Sequence, residues 1–210
     1  MGMCFRGFRV GVALGIALGL FGGEFARGQA PATEDISLVY AQGKIVGPQY
    51  INDYFGLTLA PENGQFTAGA FVSPNGKRAR LVDAQAKAKG REDLYEIAVL
   101  ADLLAANPLI HSPEQYVRAV RHGLEKEGLT TVSEESPTEI SGVHFVSAVM
   151  KVTDQEHSHY RGLYSTFLNG YILSLDVTAA SPERLTKIVQ SAVHFKGQGK
   201  EAGAAHTTDE

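Results

Sequence analysis

Two imidazoles stand one residue apart at His157 and His159, with Asp154 and Glu156 just before them. On a strand, residues i and i+2 share a face, so this pair could chelate a metal ion. A zinc site takes three or four such ligands at ~2.0–2.2 Å. If Val152 pairs with His157 across neighbouring strands, His144 falls opposite Ser165 and far from His159. No third imidazole then converges. His157 and His159 are the metal candidates of the chain, but short of a ligand set, and the expectation is that neither a metal nor another cofactor is bound.

The same register sets His144, Ser165 and Ser174 in one cross-strand row, with Arg161 and Asp176 beside it. These are the residue types of a hydrolytic triad. A nucleophilic serine, however, needs a tight strand-to-helix turn and a pair of oxyanion donors, and the sequence around Ser165 and Ser174 has neither. Glycine-rich phosphate loops are missing as well. The row is therefore expected to be a structural polar face, with Arg161 paired to Asp176 across the strands, and the chain is not expected to be an enzyme.

The element that positions this face is a hairpin. Strand-like runs at 157–168 and 171–179 flank Asn169-Gly170, and an Asn-Gly pair suits the type I′ turn, which requires φ > 0 at both positions. A two-residue turn places Tyr164, Thr166 and Leu168 on one face with Leu175, Leu173 and Tyr171. The other face then carries His159, Arg161, Leu163, Ser165 and Phe167 against Ile172, Ser174, Asp176 and Thr178.

Two helices have clear starts. Ser112-Pro113-Glu114-Gln115 combines a serine cap, proline at the first helical position and glutamine at N3. Tyr116, Val117, Val120 and Leu124 make its buried stripe, Arg118, Arg121, Glu125 and Lys126 face out, and Gly128 ends it. Ser181-Pro182-Glu183 opens a second helix over 182–193, apolar at Leu185, Ile188, Val189, Ala192 and Val193. Between the helices, 130–140 reads as an outer strand interrupted by Pro137, and 143–152 as a long strand.

The first half is less regular. Residues 31–48 read as a flexible lead-in, with a possible short strand at 36–40. Residues 50–61 suggest two short strands bent near 52–56, and 71–77 a hairpin tip. The Ala-, Lys- and Gln-rich run 80–89, followed by Gly90, looks like a short helix. At 95–103 a strand and a helix fit equally well.

Residues 1–30 have the three-part plan of a secretory signal peptide: Arg6 and Arg9, an apolar and glycine run over 10–23, and Gly28-Gln29-Ala30 before Pro31. A retained span needs ~20 apolar residues, more than this run supplies, so no stable membrane span is expected after cleavage. The only cysteine, Cys4, lies ahead of the apolar run and would leave with it. Loss of three arginines and one glutamate takes the net charge from −4 to −6, which argues against nucleic acid as a partner. Residues 197–210 are small and polar and are expected to be disordered.

Three stretches carry a family likeness. They are Tyr50-Ile-Asn-Asp-Tyr-Phe-Gly-Leu-Thr-Leu-Ala-Pro61, Ile140-Ser-Gly-Val-His-Phe145, and Gly170-Tyr-Ile-Leu-Ser-Leu with the run from Ser181 to Phe195. Together they resemble the PsbP-like, Mog-type α/β/α sandwich over 49–196. Many members of that family place Gly-Trp after the first proline. Gly64-Gln65 stands there in a chain without tryptophan, so the likeness is to a divergent, exported bacterial branch. The resemblance implies an α+β fold, an antiparallel sheet flanked by helices, and an accessory role. It places no binding residue on this chain.

Two functions follow as expectations. One is an exported, periplasmic or extracellular accessory domain that binds an unidentified protein in the cell envelope through a sheet face or edge. The other is a carrier of a small apolar ligand, held between sheet and helix among tyrosines such as Tyr50, Tyr54, Tyr95, Tyr160, Tyr164 and Tyr171.

Overall fold

The computed structural model describes residues 36–67, 71–87, 90, 93–153 and 158–196. Every described residue belongs to one compact unit within Thr33–Glu210. The signal peptide expected at 1–30 and the tail at 197–210 lie outside the described residues.

The fold is α+β, dominated by antiparallel sheets. After helix α1 (Ile36–Ala41) come the short strands β1 (Gly43–Val46), β2 (Gln49–Asn52), β3 (Leu57–Leu59), β4 (Gly64–Thr67) and β5 (Phe71–Val72). Two long strands follow, β6 (Arg78–Ala86) and β7 (Tyr95–Leu103), then helix α2 (Pro113–Lys126). Four strands come next: β8 (Thr130–Ile140), β9 (Val143–Thr153), β10 (Ser158–Leu168) and β11 (Tyr171–Ala179). Helix α3 (Pro182–Ala192) and strand β12 (Val193–Phe195) end the domain. The larger sheet has the order β4-β6-β7-β11-β10-β9-β8, with β5 also on β6; a smaller one runs β1-β2-β3-β12.

The β10–β11 hairpin forms as its turn requires. Asn169 and Gly170 both have positive φ, 52° and 82°, and Leu168 pairs with Tyr171. Tyr171, Leu173, Leu175, Val177 and Ala179 are all buried. On this face they join Ile97, Val99 and Ala101 of β7 and the α3 stripe Leu185, Ile188, Val189 and Ala192 in one core. Burying such aliphatic side chains is worth ~1.5–3 kcal/mol each. On the opposite face α2 lies over β8, β9 and β10, with Val117 packed against Val146 and Ala148. Both helices start at the expected serines: Ser112 accepts from Gln115 N–H and Ser181 from Arg184 N–H.

Several expectations are corrected. Residues 80–86 of the run 80–89 are not helical but form the body of β6, whose Ala79, Leu81, Val82 and Ala84 are buried; residues 88 and 89 lie outside the described residues. A β-bulge between Arg80 and Val82 shifts the alternation by one residue and hides its period of two. Residues 36–40 form a helix instead of a strand. Ile36 and Val39, three apart, put one face of it into the core, and with β1 they tie residues 36–46 of the supposed lead-in to the fold. Residues 95–103 are a strand. Val193 leaves the second helix and begins β12, where it pairs with Leu59.

Candidate functional site

The mixed face of the larger sheet gathers most of the buried polar residues. Arg161 and Asp176, separated by the hairpin, form a bidentate pair, with Nε to Oδ1 at 2.8 Å. The Arg161 side chain is only 9% exposed. Burial works to lower its pKa, but the charge and hydrogen bonds of Asp176 outweigh that and leave it above the ordinary value. Ser165 and Ser174 share a hydrogen bond of 2.9 Å between their hydroxyls. These four members of the predicted polar face do come together.

His144 does not join them. Val152 pairs with His159, not His157, so Ser165 lies against Val146. The two-residue difference moves His144 along the sheet, where it pairs with Glu139 of β8 and is exposed. No imidazole stands in the row: the serine hydroxyls bond to each other, and that of Ser174 also to the Tyr116 hydroxyl. His157, Asp154 and Glu156 lie outside the described residues, and His159 is half-buried opposite Val152. Among the described residues no group of three or more histidines, cysteines or carboxylates could hold a metal.

A second polar cluster escaped the sequence reading. Asp102, 4% exposed at the end of β7, accepts two hydrogen bonds from Arg78. It also accepts one of 2.7 Å from the Tyr116 hydroxyl of α2. Burial and the neighbouring carboxylate push the Tyr116 hydroxyl well above its ordinary pKa. A carboxylate deep in the apolar run 95–103, unlike Glu96 at its exposed start, is the sequence signal for such a site, since a buried charge demands a partner.

Arg121, expected to face solvent, is buried between Glu135 of β8 at 2.8 Å and Glu125 at 2.7 Å. On the same polar face, Arg80 of β6 pairs with Asp83. Burial raises the pKa of Asp83, opposed by Arg80 and aided by the like charge of Asp176. Each of these carboxylates is thus held against an arginine, an arrangement suited to fixing elements in place.

At the turn end of the hairpin the surface changes character. The 3-10 turn Leu104–Ala106 and the residues after it form one wall of an open cleft of about 560 Å³, with Phe167 and Gly170 on the other side. The loop is braced: Leu104 N–H donates to Gly170 C=O, Asn107 Nδ2 to Leu103 C=O, and Ile110 N–H to Asn107 C=O. Leu109 nevertheless stands 83% exposed. By contrast, the cavity beside α3, between Tyr95 and Ile188, holds only about 10 Å³, room for roughly one water. This space beside Tyr95 is too small for an apolar ligand. Tyr50, Tyr95, Tyr164 and Tyr171 are core residues.

No family model matches this chain, and neither does any curated protein. Among solved structures it is similar to LpqN of Mycobacterium tuberculosis, a protein involved in cell envelope biogenesis. The identity is 10% and the TM-score 0.44, over 66% of this chain and 82% of that one. It is also similar to a protein of Bacteroides thetaiotaomicron, at 11% identity and TM-score 0.38, over 76% of this chain and 50% of that one. Both likenesses are too distant to carry a function.

Proposed function

We propose that this chain is an exported, non-enzymatic accessory domain that binds another protein of the cell envelope. The observation that carries the reading is the braced apolar loop 104–110. Its hydrogen bonds hold it open, and Leu109 is left 83% exposed. A rigid apolar projection beside an apolar cleft gains most when a partner covers it. The apolar run over 10–23 behind Arg6 and Arg9 supports export. Among the described residues no helix is long and apolar enough to cross a membrane. The packing of α2 and α3 on opposite faces of the sheet supports the PsbP-like, Mog-type sandwich as the fold family.

A second reading is favoured by the size of the cleft. At about 560 Å³ it falls in the ~300–1,000 Å³ range of ligand sites, so a small apolar ligand could occupy it in place of a protein. One experiment separates the two. The mature protein and its Leu109→Asp variant are used to capture partners from the cell envelope of the native host, with bound small molecules extracted in parallel. A protein retained by the first and lost by the second is the expected result. Recovery of one apolar compound with no protein would favour the carrier, and identical captures by both forms would remove the loop from the interface.

A further inference from the structure

The chain contains three Asn-Gly pairs, Asn63-Gly64, Asn75-Gly76 and Asn169-Gly170. Such a pair can react with itself, because the glycine nitrogen can reach the side-chain amide carbon of the asparagine and close a five-membered ring. Closure requires that nitrogen to lie nearly eclipsed with the asparagine Cβ about the Cα–C bond. The left-handed region joins positive φ to ψ of about +30 to +60°, which turns the nitrogen almost directly away from Cβ.

Asn63 and Asn169 sit in that protected conformation, at φ 51° and 52°. Asn169 is further pinned, donating from Nδ2 to Tyr54 C=O at 2.8 Å and accepting from the Tyr54 hydroxyl at its own C=O. The Asn63 carbonyl accepts from Lys87 N–H at 2.7 Å. Leaving the left-handed state would break these contacts.

Asn75 differs in backbone conformation and in what its side-chain oxygen accepts. It is not among the positive-φ residues, and it is exposed in the turn that joins β5 to β6, closed by Gly76 N–H to Ser73 C=O at 2.8 Å. Its Oδ1 accepts from Ser73 Oγ at 2.7 Å and from Lys77 N–H at 3.1 Å. Those two donors surround the oxygen that gains negative charge when the amide carbon is attacked, the arrangement that stabilises a tetrahedral intermediate. No atom lies within 4 Å of the place a Cβ would take on Gly76, and the nucleophile is released when the turn bond from Gly76 N–H to Ser73 C=O opens.

We infer that Asn75 is a site of spontaneous deamidation, to which the fold confines a reaction open in principle to all three pairs. The Gly76 nitrogen bonds to Asn75 Cγ, and the Cγ–Nδ2 bond breaks. Ammonia departs with the proton lost by Gly76. Water then opens the cyclic imide at either carbonyl, giving aspartate or isoaspartate. The isoaspartate product lengthens the main chain by one carbon and replaces the Asn75 acceptor of Lys77 N–H. Its effect falls on the hairpin that leads into Arg78, the partner of Asp102.

The test is incubation of the whole protein at mildly alkaline pH, followed by peptide mapping with enzymatic labelling of isoaspartate. The Asn75 peptide should convert at least about tenfold faster than the other two, a barrier difference of about 1.4 kcal/mol. In denaturant the three rates should draw together, and Asn75→Gln should abolish the main isoaspartate signal of the folded protein. Conversion of Asn63 or Asn169 at the rate of Asn75 in the folded protein would overturn the inference. So would a ranking that survives unchanged in denaturant, since the fold would then play no part.

Discussion

The two faces of the larger sheet are built from the same strands and held by different physics. Toward α3, the β11 residues Tyr171, Leu173, Leu175 and Val177 are fully buried among other apolar groups. Burial there pushes the Tyr164 hydroxyl up to about 12. Toward α2, the alternate residues of the same strand, Ser174 and Asp176, pair with Ser165 and Arg161, while Asp102 gathers Arg78 and Tyr116. The first face draws on area removed from water, which is non-directional. The second must satisfy every polar group it buries, so its gain is smaller and its geometry more specific.

The largest effect should come from the apolar face. Leu173→Ala, at a fully buried position, is expected to cost ~2–5 kcal/mol in urea denaturation. A loss below that of any polar-face variant would reverse the ranking of the faces. On the polar face, Asp102→Ala strands Arg78 and Tyr116 and should cost about 1–3 kcal/mol. Arg78 is partly exposed, which lets water recover some of its charge. The double variant Arg78→Met with Asp102→Leu should be more stable than Asp102→Ala, because replacing both partners removes the unpaired charge. If the double variant is the worse of the two, the pair contributes more than mutual satisfaction.

Helix α3 supplies the smaller steps. Ser181→Ala removes one cap and should cost ~0.5–2 kcal/mol. Exposed Lys187, on the solvent side of the same helix, should tolerate Ala within ~0.5 kcal/mol. Equal losses at Ile188→Ala and Lys187→Ala in thermal melts would deny that one side of α3 is core.

The smallest effect is confined to the junction of α2 and β8. Hydrogen bonds from Thr131, His122 and Arg121 lower the Glu125 pKa from 4.5 to about 2. That of Glu135 is also lowered; burial would raise it, but Arg121 and Arg118 outweigh this. A carboxylate held below its unfolded value stabilises the fold above that value and loses the contribution as pH falls through the folded one. NMR signals of Thr131 and Arg121 should therefore hold steady down to about pH 4.5 and shift progressively toward pH 2. A transition above pH 5 in those signals would assign the contact to another group.

Local chemistry made much of this fold readable. The Asn169-Gly170 turn accepts one register, so the faces of the β10–β11 hairpin followed residue by residue, and so did the Arg161–Asp176 pair. Serine and proline marked both long helices, with a glutamine at N3 in the first, because a helix start must satisfy its own free N–H groups. Tertiary structure decided the rest. The sequence between β9 and β10 carries no Asn-Gly pair to set their register, so the position of Ser165 opposite Val146 depends on how whole strands pack. That choice removed His144 from the polar row. In β6 the bulge displaced the alternation, and the helix-forming composition of 80–86 yielded to pairing with β7 on one side and β4 and β5 on the other. The burial of Arg121 depended on Glu135, a residue of another element. Turn and cap preferences are energies of a few neighbouring residues and are written in order along the chain, whereas strand register and the partners of buried charges are settled only when distant segments meet.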